Sequence, residues 1–210
     1  EVWSVAVQND ILVAGCSGTR IAVYSVSQNA SEILSLMRFL DRDVTSGIVA
    51  SLDFASGLLV AGCAGSKRLE VWRLTAAENL DARQKKKLKK AAKNAEGKSE
   101  GKSEDAAVLN TKFTKLPTVF AAGKIKSVAV QSHGKNVSVA LGLGDNRIQV
   151  LSVTQPDQES VSQVALPGHR EPVRFVDVSK DDSRVLSVSA ESVRVWNTAS
   201  TFQSAESRAS

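Results

Sequence analysis

The stretch "GLLVAGCAGSKRLEVWRL", residues 57–74, has a near twin earlier in the chain, "DILVAGCSGTRIAVYSV", residues 10–26. In both, "VAG" leads into a cysteine, a short turn, a basic residue and an alternating run that reaches an aromatic. A phrase written twice marks a repeated structural unit. Working outward, the chain yields four such units. Unit one reads "VWSVAV", "DILVAGC", "RIAVYSV" and "EILSLMRFL". Unit two reads "GIVASLDF", "GLLVAGC" and "RLEVWRL"; unit three reads "KIKSVAVQ", "NVSVALGLG", "NRIQVLSV" and "SVSQVALPG". Unit four reads "PVRFVDVS", "SRVLSVSA" and "SVRVWNT". Apolar residues recur at every second position, with Gly, Asn, Asp and Ser between the runs, which predicts short antiparallel strands joined by turns.

The spacing fixes the unit. The third run of each carries a bulky residue in the same place: Tyr24, Trp72, Leu151 and Trp196. Tyr24 and Trp72 are 48 residues apart and Leu151 and Trp196 are 45 apart, whereas Trp72 and Leu151 are 79 apart. Removing the 34 residues 77–110 restores an interval of 45, so that stretch interrupts a repeat and ends no domain. A four-stranded unit of this length is the sheet of a β-propeller blade. One small sheet cannot cover both its apolar faces, and packing sheets face to face around an axis covers them. The expected organisation is blades one and two in 1–76, a Lys-rich insertion in 77–110, and the end of blade two with blades three and four in 111–210. The insertion falls between the third and fourth strands of unit two, with "NTKFTKLPTVF" resuming as the fourth. The chain opens on Glu1 inside a strand pattern and is read as a piece of a larger protein.

Charge is concentrated in one place. Residues 83–105 hold nine basic side chains against four acidic ones, and the remaining chain has 18 of each. The first part of the insertion, "AENLDARQKKKLKKAAKNAEG", is rich in helix formers; the second, "GKSEGKSED", is low-complexity. Arg83, Lys85, Lys86, Lys87, Lys89, Lys90 and Lys93 are the candidate phosphate-binding residues. Cations of this density attract nucleic-acid backbones by releasing counterions. No aromatic stands among them to stack bases, so they offer affinity without sequence choice. The same composition suits a solvated loop, an acidic protein partner or a nuclear import signal.

Other classes find less support. No run approaches the ~20 apolar residues of a membrane-spanning helix. The two cysteines, Cys16 and Cys63, occupy equivalent places after "VAG" and are expected as buried core residues rather than a disulfide or metal pair. His133 sits in the turn-like "QSHGKN". "GLGDN", 142–146, lacks the strand-to-helix transition of a phosphate loop, and "DD", 181–182, lies in a hairpin turn. No residue set marks a catalytic centre, a metal site or a cofactor, so none is expected.

The residues "RLEVWRL" around Trp72, "SVRVWNT" around Trp196 and the Gly168–His169 dipeptide make the chain resemble the WD40 family. The resemblance implies a propeller usually of seven blades, so that the missing blades lie outside this chain or the four belong to two adjoining propellers. It also implies a buried hydrogen-bond chain in unit four, with His169, Ser187 or Ser189, and Trp196 as members and the family's turn Asp missing. Trp72, His169 and Trp196 are therefore expected to be structural. The order of "EVWSVAV", the Lys-rich insertion, "KIKSVAV", "GHREPVRFVDVS" and "ESVRVWNT" further resembles the tandem-propeller WD40 subunit of the UTP-B complex of the small-subunit processome. That resemblance implies a non-enzymatic scaffold in the nucleolus, acting in pre-ribosomal RNA processing. Its partners would be other WD40 and helical subunits, pre-ribosomal RNA and a small nucleolar RNA particle, with no membrane and no small-molecule substrate. The alternative is a WD40 adaptor of another class, such as a ubiquitin-ligase substrate receptor or a trafficking coat.

Overall fold

The computed structural model describes residues 1–18, 20–27, 33–43, 47–75, 112–133, 136–154 and 161–198. Among them the chain forms four antiparallel sheets in sequence order. The first, blade 1, runs β1 (Val2–Gln8), β2 (Ile11–Cys16), β3 (Arg20–Val26) and β4 (Leu34–Asp41). Blade 2 has β5 (Val49–Ala55), β6 (Leu58–Cys63) and β7 (Arg68–Thr75), and its outer position is shared by β8 (Lys112–Lys115) and β9 (Val119–Phe120). Blade 3 has β10 (Ile125–His133), β11 (Asn136–Leu143), β12 (Arg147–Thr154) and β13 (Val161–Pro167). Blade 4 has β14 (Phe175–Val178), β15 (Arg184–Val188) and β16 (Val193–Asn197). Strands two, three and four follow one another by pairing, the meander expected from the alternating runs.

Local chemistry is repeated along with topology. The first strands of blades 1, 2 and 3 each carry an irregularity at the same step, between Val2 and Ser4, Val49 and Ser51, and Ile125 and Ser127. Each inserts one residue and bends the strand. The hairpin after β5 turns on Ser56 and Gly57, both at positive φ, which matches the strand twist as a two-residue primed turn. Gly15, Gly62 and Gly142 occupy one position in the second strands, opposite Ser4, Ser51 and Ser127. A Cβ there would meet the next blade at once: Val49 Cγ1 at 2.7 Å from Gly15, Ile125 Cγ2 at 2.6 Å from Gly62 and Val173 Cγ1 at 2.8 Å from Gly142.

Each sheet therefore has a front face toward the preceding blade and a rear face toward the following one. Blade 2 presents Val49, Leu52, Phe54, Leu59, Ala61 and Trp72 to Ile11, Val13, Ile21 and Val23 of blade 1. Its rear face gives Leu58, Val60 and Leu69 to Ile125, Val128 and Val130 of blade 3. Blade 3 in turn gives Ile148, Val150 and Leu166 to Val173, Val176 and Val185 of blade 4. Polar hooks cross the same joints. The Gly57 amide donates to Gln8 Oε1 (3.0 Å), Val128 N–H to Ser51 Oγ (3.0 Å), Val130 N–H to Asp53 Oδ2 (2.6 Å) and Ser138 Oγ to Asp182 Oδ2 (2.6 Å).

The bulky third-strand residues align in register: Tyr24 opposite Leu12, Trp72 opposite Leu59, Leu151 opposite Val139 and Trp196 opposite Val185. Three details differ from expectation. Pro117 brings no N–H to the ladder, so the fourth strand of blade 2 is broken into β8 and β9 around it. His133 closes β10 and pairs with Asn136, so it belongs to a strand. Cys63 is buried but Cys16 is only half-buried. Cys16 pairs with Val2 at the front of blade 1, against which none of the other described blades packs, whereas the Arg42 side chain roofs over Cys63.

Candidate functional site

The sheets have two ends. One carries the turns between second and third strands and the connections from one blade to the next. The other carries the first hairpins and the connection that leaves Thr75 and returns at Lys112. Two buried polar clusters lie at the first end, one in blade 4 and one in blade 2.

In blade 4 the connection from β13 brings in His169, which is 7% exposed. Its Nε2 meets Ser187 Oγ at 2.7 Å, and Trp196 Nε1–H donates to the same oxygen at 2.8 Å. Ser187 therefore bridges His169 and Trp196. On the other side of the ring, Nδ1 meets Ser189 Oγ at 3.0 Å and Ser192 Oγ at 3.1 Å. Both serines take part, and Ser189 and Ser192 stand at the nitrogen for which the turn Asp is missing. Burial lowers the His169 pKa, and the Arg194 charge adds to this against the opposite pull of Glu191. The glycine before it is required: Gly168 has φ 157° and a Cβ there would sit 2.6 Å from Trp196 Cη2.

Blade 2 answers the same problem with charges. Cys63 occupies the register position of Ser189, and Glu70 stands two residues before Trp72 on the front face. Arg42, from the connection after β4, reaches between them. Its Nε donates to Glu70 Oε2 at 2.9 Å, Nη1 to the carbonyls of Gly18 (2.7 Å) and Gly47 (2.9 Å), and Nη2 to Cys63 Sγ at 2.8 Å. Both charged side chains are 0% exposed. Glu70 Oε1 accepts the Asp43 amide at 2.7 Å and faces Lys115 Nζ at 3.2 Å. Lys115 also pairs with Asp43 at 2.8 Å and lies 5.3 Å from the Trp72 ring centre. Burial alone would raise the Glu70 pKa, but the bonds from Arg42, the Asp43 amide and Lys115 outweigh it and the pKa is lowered. Burial pushes the Cys63 thiol up. In blade 3 the residue matching Glu70 is Gln149, buried, whose Oε1 takes the Ala122 amide at 2.8 Å. One position in the third strand thus anchors an incoming connection in both blades.

The His169 nitrogens both face serine hydroxyls, and Glu70 is neutralised by two cations. In the turn "GLGDN" the Gly144 amide donates to the Lys124 carbonyl at 2.8 Å, Asp145 pairs with Arg147, and Asn146 Nδ2 donates to the Arg170 carbonyl at 2.7 Å. In the "DD" turn, Asp181 is held at about 2 by the hydroxyls of Ser179 and Ser183 and the Ser183 amide. Among the described residues, no group of three or more His, Cys, Asp or Glu is arranged to hold a metal. No helix among them is long and apolar enough to cross a membrane. Arg83, Lys85, Lys86, Lys87, Lys89, Lys90 and Lys93 lie outside the described residues. What is fixed is their attachment: Thr75 pairs with Lys112, at the end of blade 2 opposite the two clusters.

No family model matches the chain. WD repeat-containing protein 3 of Homo sapiens is 30% identical over 95 residues, which is 42% of this chain and 10% of that protein. The chain thus spans a small part of the relative it matches. Among solved structures, Sqt1 from Chaetomium thermophilum superposes with a TM-score of 0.62 at 19% identity, covering 99% of this chain and 46% of that one. A chain of the mitotic checkpoint complex gives 0.58 at 14% identity, covering 94% and 49%. The computationally designed Ika4 protein gives 0.55 at 17%, covering 94% and 91%. At these identities the structural likeness establishes the fold, an all-β, WD40-type propeller with four blades among the described residues.

Proposed function

We propose that this chain is part of a non-enzymatic WD40 scaffold in a nucleolar ribonucleoprotein assembly that processes pre-ribosomal RNA for the small ribosomal subunit. The observation that carries the reading is the order of its segments, "EVWSVAV", the Lys-rich stretch, "KIKSVAV", "GHREPVRFVDVS" and "ESVRVWNT", which resembles that of the UTP-B propeller subunit. The similarity to WD repeat-containing protein 3 supports it. Labour is divided by charge. The propeller body, with 18 basic and 18 acidic residues outside 83–105, is a neutral, rigid surface for WD40 and helical protein partners. Residues 83–105, net +5, draw RNA by phosphate neutralisation, with Arg83, Lys85, Lys86, Lys87, Lys89, Lys90 and Lys93 as the contacts.

Deleting 83–105 tests this in cells. RNA cross-links at the protein should disappear while its protein partners are retained. Unchanged cross-linking, or a protein that resides in the cytoplasm, overturns the reading. In vitro, affinity for structured RNA should fall steeply with salt, with a log–log slope of about −0.7 to −0.9 per phosphate neutralised.

A further inference from the structure

The end of the sheets that carries the turns between second and third strands is unevenly charged. Residues 64–68, 121–126, 144–147 and 168–174 make two of those turns and the connections into blades 3 and 4. They hold seven basic side chains against two acidic ones. The rest of the chain outside 83–105 holds eleven basic and sixteen acidic. The neutral body is therefore two opposite regions, net +5 and net −5.

Backbone bonds lock the four basic segments side by side. The Lys67 carbonyl accepts the Ala121 amide at 2.7 Å, and the Ser66 carbonyl accepts the Ile125 amide at 2.9 Å. The Lys124 carbonyl accepts the Gly144 amide at 2.8 Å, and the Arg170 carbonyl accepts Asn146 Nδ2 at 2.7 Å. Lys67, Lys124, the Gly144 turn and Arg170 thus follow one another in a strip. Lys126 belongs to it, because a Cβ on Gly144 would lie 3.3 Å from its Cε. Blades 2 and 3, which carry most of the strip, are packed on both faces, and the strip lies across their ends.

These cations are not consumed internally. Arg20, Arg42, Lys115 and Arg147, at the same end, each pair with a carboxylate. Lys67, Lys124, Lys126 and Arg170 are exposed, and no ion pair joins them to a carboxylate among the described residues. Like charges fixed side by side raise a positive potential that an anion relieves.

Three features choose the anion. A long polyanion that runs past the strip meets the acidic remainder of the body, whereas a short acidic segment ends with it. Phe120, the exposed aromatic paired with Arg68, has the Arg68 guanidinium 5.8 Å from its ring centre, on the face a stacked base would use. Ala64, Gly65 and Ala122 stand exposed among the cations and let a peptide backbone lie low between them.

We propose that this strip binds an acidic peptide segment of a protein partner, with carboxylates on Lys67, Lys124, Lys126 and Arg170. The proposal rests on the scaffold reading above and gives that scaffold one partner surface. The stretch holding the lysines of 83–105 is attached at the opposite end of blade 2, so the two cationic regions serve separate partners.

Fluorescence anisotropy with a labelled oligoglutamate peptide tests this on the purified 210-residue chain. Lys67→Glu, Lys124→Glu and Lys126→Glu together should weaken peptide binding at least about tenfold, and leave binding of poly(U) RNA within about twofold of the parent. A parent chain that ignores the peptide, or a variant that binds it as tightly, overturns the proposal. An equal loss for poly(U) also overturns it, because the strip is then a nucleic-acid surface. On the unaltered chain, carbodiimide coupling of the bound peptide should place amide links at Lys67, Lys124 or Lys126, read by mass spectrometry. Links confined to the lysines of 83–105 overturn it as well. Poly(U) binding before and after deletion of 83–105 is read independently of the peptide, so a failure of either proposal is told from a failure of the other.

Discussion

Glu70 is the residue on which blade 2 turns. It sits on the face that carries Trp72, in a row with Leu52 and Ala61, where its neighbours are apolar. A buried carboxylate survives there only because Arg42, the Asp43 amide and Lys115 converge on it. Removing one partner leaves the other charge buried and uncompensated, so Arg42→Met or Glu70→Leu alone should cost roughly 3–5 kcal/mol in denaturant unfolding. The double replacement should cost far less than the sum, because both desolvation penalties go together. His169 gives a pH signature of the other cluster. Its folded pKa is lowered from the ordinary 6.5, so the unfolded chain takes up a proton that the folded chain resists. Its stabilisation is present above that ordinary value and is lost as pH falls through the folded one. Replacing His169 with Asn should flatten the dependence of unfolding free energy on pH across this window. The His169 cluster is legible in the sequence because "GH" and "VRVW" sit a blade's width apart. The Arg42 cluster is not, since Arg and Glu are ordinarily read as surface residues. The signal that exposes it is periodicity: Glu70 lies two residues from Trp72, and in a strand that means the same face.

At the scale of strands, alternation and turn residues locate the meanders, because each strand lies between two packed faces and is bounded by Gly, Asn or Asp. The division of the last strand of blade 2 is set by one residue, Pro117, and the "LPT" that holds it is visible without a structure. The register adds the residues at which the chain leaves and returns. Thr75 faces Lys112 across an antiparallel pair, so their Cα atoms are about 4.5–5.5 Å apart. A two-residue turn spans such a pair. Replacing 76–111 with Asn-Gly should therefore leave unfolding free energy within about 1 kcal/mol of the parent while removing the RNA affinity proposed above. Calorimetry or urea titration alongside RNA binding reads both outcomes on one protein.

For the whole molecule, the joints between blades matter more than any sheet. The equivalent glycines 15, 62 and 142 bring each blade within van der Waals reach of Val49, Ile125 and Val173. Gly62→Ala places a methyl where Ile125 and Val128 already stand at 2.6 and 3.0 Å, both firmly packed. It should destabilise by about 1–3 kcal/mol through overpacking, measured by chemical denaturation. These glycines look like turn residues in sequence, because "AGC" and "LGLG" lie beside real turns. Only the register of neighbouring sheets reveals them as clearances.

The pairing of Thr75 with Lys112 also limits geography. A segment of 36 residues pinned at both ends to one spot can extend no farther than half its contour, about 60 Å. Whatever the lysines grasp must come within that radius of the Thr75–Lys112 pair, and a pull on it is delivered to that single point of blade 2.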